Sequence, residues 1–291
     1  MLSYSKAFYE AKNKLQPLYD EREAASIGHE LLFYLTLLDK AQRLINKDKQ
    51  FNGPQQAQYE LMLVKLLKGQ PLQYVTGLSW FMGQKFKVNE HVLIPRPETE
   101  ELVQWVIDDH KNSVDKLNVI DIGTGSGCIP VSLKLAFTSA TVTACDISKD
   151  ALALAKINAS LLDAIISFIK TDFLSPASEI LSGEYDIIIS NPPYIPFSER
   201  STLHANVRDY EPAIALFVPD DDALVFYKAI ATFGKTNLRE KGSIYCELDA
   251  AHAAACKILF EAEGYKYVEI RKDMSGNWRM LKASFVNKEI N

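Results

Sequence analysis

The segment Asp121–Cys128 constrains this chain more than any other. It reads Asp121-Ile-Gly123-Thr-Gly125-Ser-Gly127-Cys128, after an apolar run that predicts a strand at 118–122 and before one that predicts a helix at 129–136. Glycines at such a junction permit a tight turn, and ligands of doubly wound sheets bind at the carboxyl ends of the strands. The segment predicts a nucleotide-type site. A dinucleotide fingerprint requires glycine where Cys128 stands, so NAD is the poorer fit.

From residue 140 to residue 285, short runs of strand-forming residues alternate with runs of helical periodicity. Further strands are predicted at 140–146, 185–190, 243–248, 265–271 and 279–285, and further helices at 151–161, 224–233 and 250–262. This alternation predicts an α/β fold whose mostly parallel sheet is covered on both faces. The last two strands lie close together in sequence, so we expect them to pair antiparallel.

The first part of the chain has a different periodicity. Apolar residues recur at helical spacing from Tyr4 to about Leu67, which predicts a small all-helical domain at residues 1–74. Beyond Pro71, residues 72–76 and 81–88 alternate around Gly77 and Gly83 as the strands of a hairpin do. We therefore predict a β-hairpin linker at 75–93 and an α/β domain at 94–291.

Composition and charge exclude several classes of protein. Hydrophobic residues make up 47% and charged residues 24%, as in ordinary globular proteins. The net charge of −5 disfavours a protein that clamps a long nucleic acid through its phosphates. Four cysteines without a CxxC pair indicate neither a disulfide framework nor a metal site. Without a signal peptide or an apolar run of about 18 residues, we expect a soluble cytoplasmic protein with no membrane partner.

Acidic residues follow the next two strands and complete the predicted ligand site. Asp146 ends the second strand, about 20 residues past the glycines, where a carboxylate can accept both hydroxyls of a ribose. Asp172 and Phe173 follow the third strand, where an acid and a ring can contact adenine. The order of these features resembles the S-adenosylmethionine site of Rossmann-like methyltransferases. The predicted cofactor residues are Asp121, Gly123, Thr124, Gly125, Ser126, Gly127, Asp146, Asp172, Phe173 and Asn191.

The fourth strand runs into Asn191-Pro192-Pro193-Tyr194, and these four residues are the predicted catalytic motif. A planar amide or aromatic amine is a poor nucleophile because its lone pair is delocalised. If Asn191 Oδ1 and the Pro192 carbonyl each accept one N–H, they orient the nitrogen and stabilise the positive charge that develops on it. Tyr194 can stack on the planar group. The motif resembles that of methyltransferases that alkylate planar NH2 groups.

Most of the chain resembles the PrmC/HemK family, the glutamine methyltransferases of release factors. The resemblance is most specific at Gln70–Gly77, Val92–Glu100 and Asn191–Ile195. It implies a helical domain, a hairpin and a Rossmann-like domain with a mixed seven-stranded sheet, and it implies methylation of the Gly-Gly-Gln glutamine of peptide chain release factors. The chain departs from the family after the fifth strand, at Glu247–His252, and in the turn at Val218–Ala223.

Two other functions remain open on the residues alone. One is methylation of a nucleobase amine in DNA or RNA, which such an enzyme must extract from its stack. The other is a nucleotide-binding protein without catalysis, although two acceptors aimed at an amine argue against it. Arg96 and Glu98 either orient active-site groups or pair with each other, and Glu211-Pro212 is either a turn or a substrate contact.

Overall fold

The computed structural model describes residues 1–113, 116–175 and 183–286 and divides the chain into two compact units. The first unit comprises Met1–Leu78 and His204–Tyr210, and the second comprises Ser79–Leu203 and Glu211–Asn291. The hairpin thus falls mostly in the second unit. Residues His204–Tyr210 belong to the first unit, although the sequence predicted them to be part of the α/β domain. Residues 287–291 of that predicted domain lie outside the described ranges.

The first unit consists mainly of helices. Its helices are α1 (Tyr4–Leu15), α2 (Glu21–Thr36), α3 (Lys40–Ile45), α4 (Gly53–Leu67), α5 (Leu72–Thr76) and α9 (Ala205–Tyr210). The first four begin at side chains that accept a backbone N–H of the first turn, namely Ser3, Asp20, Asp39 and Asn52. Apolar side chains of α1, α2 and α4 form one buried cluster that includes Leu15, Leu31, Leu32, Tyr59 and Leu66.

The hairpin is shorter than the sequence predicted. Its strands are β1 (Leu78–Phe81) and β2 (Gln84–Lys87), joined by Met82 and Gly83, which both have positive φ. The prediction of a strand at residues 72–76 is wrong, because these residues form α5. Leu72 and Val75 pack on the helical core at a spacing of three, and Gly77 ends the helix with a φ of 72°. Five residues are too few to separate the two periodicities.

The second unit contains the mixed seven-stranded sheet that the resemblance implied. Within the described residues its strand order is β10-β11-β9-β6-β3-β4-β5. The strands are β3 (Asn118–Ile122), β4 (Thr141–Asp146), β5 (Ser167–Lys170), β6 (Tyr185–Ser190), β9 (Leu238–Glu247), β10 (Tyr267–Lys272) and β11 (Trp278–Ser284). β11 pairs antiparallel with both β10 and β9, and the other pairs are parallel. The predicted antiparallel pairing of the last two strands is confirmed.

Helices cover both faces of this sheet. They are α6 (Pro97–His110), α7 (Cys128–Ala136), α8 (Lys149–Leu161), α10 (Val225–Asn237) and α11 (Ala253–Ala262). Ile187 and Ile189 of β6 join the core with α6 and α7, whereas Ile188 joins the core with α10 and α11. Because both faces are buried, the strand reads as a continuous apolar run.

The strand β9 begins five residues before its predicted start at residue 243. Leu238 pairs with Tyr185, and Arg239 donates to Asp186 at 2.8 Å. The added residues are mostly polar and half-buried or exposed, so their pattern does not indicate a strand. A further short pair, β7 (Ile195–Pro196) with β8 (Phe217–Val218), follows the Asn-Pro-Pro-Tyr motif.

Candidate active site

A cavity of about 330 Å³ lies at the carboxyl ends of β3, β4 and β6 in the second unit. Its volume falls in the range of about 300–1,000 Å³ that small-molecule sites occupy. Ten of the predicted site residues line it: Gly123, Thr124, Gly125, Ser126, Asp146, Asp172, Phe173, Asn191, Pro192 and Pro193. Asp121, Gly127 and Tyr194 are not among its lining residues.

The three glycines after β3 serve different purposes. Gly123 and Gly125 have φ of 76° and 52°, and a Cβ added at either would meet nothing within 4 Å. Their bare backbone leaves room for a ligand to approach. Gly127 has a φ of 79°, and a Cβ there would lie 3.0 Å from the Cβ of Ala155 on α8. Its lack of a side chain lets the start of α7 pack closely against α8.

Two buried polar side chains on this loop lack hydrogen-bond partners. Both carboxylate oxygens of Asp121 and the hydroxyl of Thr124 are buried without a partner in hydrogen-bond geometry. Burial raises the pKa of Asp121 to about 7, which the nearby Thr124 hydroxyl partly opposes. Thr124 lines the cavity, whereas Asp121 does not. The unpaired Thr124 hydroxyl and the open backbone of Gly123 and Gly125 fit a polar ligand at this loop.

Asp146 holds the loop from the end of the neighbouring strand. Its Oδ2 accepts the Gly125 N–H at 2.9 Å, and its Oδ1 accepts the Ser148 N–H at 2.8 Å. Burial raises the pKa of Asp146, and these backbone donors act in the opposite direction. Asn158 of α8 donates to the Ser126 carbonyl at 2.8 Å, so the loop is fixed on a second side.

Asp172 and Phe173 line the cavity just beyond β5. Asp172 Oδ1 accepts the Leu174 N–H at 3.0 Å, which closes a local turn. The Phe173 ring packs edge-to-face on Phe233, with centroids 5.5 Å apart. These contacts hold both side chains at the edge of the cavity where the sequence places a nucleobase.

The Asn191-Pro192-Pro193 backbone lines the cavity as it leaves β6. The Asn191 side chain donates from Nδ2 to Thr99 Oγ1 at 3.0 Å. Tyr194 packs instead against the core of α10 and α11, and its hydroxyl donates to Glu247 Oε1 at 3.3 Å. The motif therefore brings three of its four residues to the cavity wall.

The structure pairs four residues near the motif in ways that the sequence did not predict: Arg96, Thr99, Glu211 and Glu247. Arg96 lines the cavity and pairs with Glu211 at 2.5 Å, not with Glu98, and Glu211 also accepts the Ile94 N–H at 3.1 Å. Glu247, the last residue of β9, bonds to both Thr99 of α6 and Tyr194 of the motif. The sequence indicated only that the chain departs from the family pattern from Glu247 onward. These pairs are separated by 53 to 148 positions, and no local pattern reveals them.

Comparison with known proteins agrees with this geometry. The family model described as "Methyltransferase small domain" matches residues 101–208. The solved structure of the hMettl16 catalytic domain with the MAT2A 3′UTR hairpin 6 has a TM-score of 0.57 at 19% identity. It covers 82% of this chain and 84% of that chain, and at this identity it establishes the fold alone. Fold and site together define a Rossmann-like, S-adenosylmethionine-dependent methyltransferase.

More similar relatives identify the family. The model described as "PrmC N-terminal domain" matches residues 6–77. The release factor glutamine methyltransferase of Flavobacterium psychrophilum is 40% identical over 273 residues, which cover 93% of this chain and 95% of the relative. That of Bacteroides thetaiotaomicron is 39% identical over 273 residues, 94% and 97% of the two chains. The chain belongs to the release factor glutamine methyltransferase family.

Proposed function

We propose that the protein transfers a methyl group from S-adenosylmethionine to the side-chain amide nitrogen of the glutamine in the Gly-Gly-Gln motif of peptide chain release factors. The observation that carries the proposal is Asn191 at the wall of the cavity, beside the glycine loop, with its Nδ2 bonded to Thr99. The names of relatives about 40% identical over most of the chain supply the substrate.

The cofactor residues divide the cavity between them. Gly123 and Gly125 offer open backbone, Gly127 holds their loop against α8, Asp146 accepts the ribose hydroxyls, and Asp172 with Phe173 contacts the adenine. Each carboxylate oxygen of Asp146 has a second lone pair beyond the backbone N–H it accepts, so ribose binding does not require the loop to open. Asp121 is fully buried near the end of β3, just before this loop.

The Asn-Pro-Pro-Tyr residues prepare the amide. When bound, S-adenosylmethionine supplies an electrophilic methyl on its sulfonium. Asn191 Oδ1 and the Pro192 carbonyl each accept one N–H of the glutamine amide, which orients its nitrogen and stabilises the positive charge that develops there. The nitrogen would form its bond to the methyl carbon as the carbon–sulfur bond breaks and the sulfur keeps the electron pair, and it would then lose one proton to solvent. Tyr194, whose hydroxyl is held by Glu247, packs against the core beside the motif and helps to hold the motif in place.

The helical domain predicted at residues 1–74 selects the protein substrate. A glutamine on a mobile loop offers little binding area, so specificity for one protein requires a second surface. On α4, Leu61 and Val64 are 59% and 51% exposed and stand three residues apart, so they share one face of the helix. This face is the contact for the body of the release factor.

The protein acts in the cytoplasm, where release factors function, and on protein, not nucleic acid. Its net charge of −5 lacks the basic surplus with which nucleic-acid enzymes hold phosphates. In the described part of the chain, no helix has the length and apolarity to cross a membrane.

Labelled methyl transfer tests the proposal. The protein is incubated with labelled S-adenosylmethionine and, separately, release factor, the same factor with alanine in place of the Gly-Gly-Gln glutamine, RNA and DNA. Label should enter the intact factor alone. Equal labelling of the alanine form would remove the glutamine as acceptor, and labelling of the RNA or DNA would favour the nucleobase reaction.

A further inference from the structure

A chain of hydrogen bonds links Asn191 to the interior of the second unit. Asn191 Nδ2 lies 3.0 Å from Thr99 Oγ1, and Thr99 Oγ1 lies 2.5 Å from Glu247 Oε2. The other oxygen, Glu247 Oε1, accepts the Tyr194 hydroxyl at 3.3 Å. One buried carboxylate therefore holds both polar side chains of the Asn-Pro-Pro-Tyr motif, directly for Tyr194 and through Thr99 for Asn191.

The chemistry of the three groups gives this chain a direction. An ionised carboxylate can only accept, so the single hydroxyl proton of Thr99 points to Glu247. Thr99 Oγ1 can then only accept from its other neighbour, and Asn191 must turn its NH2 toward it. Asn191 Oδ1 then remains available to accept a hydrogen bond from another group. The two ends of an asparagine amide have nearly the same shape, so the carboxylate distinguishes them.

We propose that Glu247 and Thr99 are positioning residues for methyl transfer, which hold the Asn191 amide with its oxygen facing the substrate nitrogen. The inference rests on the acceptor role proposed above for Asn191. A flipped amide would set the Asn191 NH2 against the N–H of the substrate, and two donors form no bond. Glu247 is 2% exposed and does not line the cavity, so it acts through its neighbours.

The surroundings of Glu247 balance its charge. Burial raises the pKa of Glu247 to about 7, while the Thr99 hydroxyl and Arg279 of β11 favour the ionised form and Glu98 of α6 opposes it. Tyr194 donates to its side chain, and Tyr227 of α10 donates to its backbone carbonyl at 3.0 Å. The carboxylate is therefore ionised above neutral pH and protonated below it.

Protonation of Glu247 would remove the direction of the chain. A neutral carboxyl group can donate to Thr99, which frees the hydroxyl proton to point at Asn191. The amide would then turn its oxygen to Thr99 and its NH2 to the cavity. Turnover that depends on this orientation must fall when Glu247 takes up a proton.

A pair of variants at one position provides the main test. Thr99→Val keeps the shape of the side chain and removes the hydroxyl. We expect kcat for release factor to fall about ten- to a hundredfold, which is less than the fall expected when Asn191→Ala removes the acceptor itself. Thr99→Ser restores the hydroxyl and should return kcat to within about threefold of the wild-type value. KM and the affinity for S-adenosylmethionine should change little in both. Thr141→Val, the same change at an exposed position of β4, is the control.

The pH dependence of kcat provides a second test that does not require Thr99→Val to fold. Wild-type kcat should fall as the pH drops through about 7, whereas Glu247→Gln should be slow and lack this inflection. A Thr99→Val enzyme as fast as the wild type would overturn the inference, and so would a Glu247→Gln enzyme whose kcat and pH dependence match those of the wild type.

Asn191→Ala separates this inference from the function it rests on. A folded Asn191→Ala enzyme with full activity would contradict the proposed role of the motif itself. An inactive Asn191→Ala enzyme beside a fully active Thr99→Val enzyme would retain that role and refute only the positioning by Thr99 and Glu247.

Discussion

The carboxylate of Asp146 accepts the backbone N–H of Gly125 at 2.9 Å, across 21 positions of sequence. Its other oxygen accepts the N–H of Ser148, the residue that caps α8. One side chain at the end of β4 thus fixes both the glycine loop and the start of the next helix. The position of the Asp146 carboxylate and the shape of the glycine loop are therefore coupled.

Asp146→Ala should weaken S-adenosylmethionine binding by about 1.5–3 kcal/mol, because hydrogen bonds to a charged group are lost. Isothermal titration calorimetry measures the change. Asp150→Ala removes the same charge from an exposed position of α8 and should bind as the wild type does. Calorimetry that detected NAD binding but no response to S-adenosylmethionine would rule out the assigned cofactor.

Asn191→Ala should lower the rate of methyl transfer about 100- to 1,000-fold, comparable to the loss of one preorganised oxyanion-hole partner. Single-turnover assays at saturating S-adenosylmethionine isolate this step from cofactor binding. Circular dichroism and thermal unfolding check that the fold survives. Unchanged turnover in the folded variant would refute the role of Asn191 as an acceptor.

Asp121→Asn should stabilise the protein at neutral and alkaline pH. Burial raises the pKa of Asp121 from 3.8 to about 7, so the folded state binds more protons than the unfolded state between these values. Wild-type stability therefore decreases as pH rises from about 4 to 7, and then stays lower.

The Asp121→Asn variant has no carboxyl group that can titrate at this position. Its gain in the free energy of unfolding should grow between pH 4 and 7 and level off above, on the order of 1–4 kcal/mol. Urea unfolding at pH 4, 6 and 8 gives the curve, and pH 4 serves as the internal control. A gain that is the same at all three values would show that the Asp121 charge is not its cause.

Leu61→Ser combined with Val64→Ser should raise KM for intact release factor about tenfold or more, since apolar contact area on α4 is lost. The affinity for S-adenosylmethionine should not change, because the cofactor residues lie in the second unit. Ile258→Ser alters a side chain on α11 that is also exposed, at 65%, and is the matched control. An unchanged KM in the double variant would assign substrate selection to another surface.

Much of this architecture was predictable because it depends on local pattern. The strands at 118–122 and 185–190 match their predicted bounds, since a strand buried on both faces is a continuous apolar run that ends abruptly in glycine or proline. The mixed sheet, the family and the cofactor were likewise predicted and are confirmed. The roles of the individual site residues stay predictions. Short α5 was missed because its five residues satisfy both periodicities.

The candidate site residues are recognisable from local pattern, because the glycines, Asp146 and Asn191 stand at strand ends, where chain reversal and residue type are local properties. The contacts that hold these residues come from tertiary packing. Thr99 and Glu247 are 148 positions apart, and Arg96 and Glu211 are 115 apart. A buried polar group needs a hydrogen-bond partner, and packing of the core can supply that partner from any part of the chain. Such pairs cannot be recognised from the order of residues in the sequence.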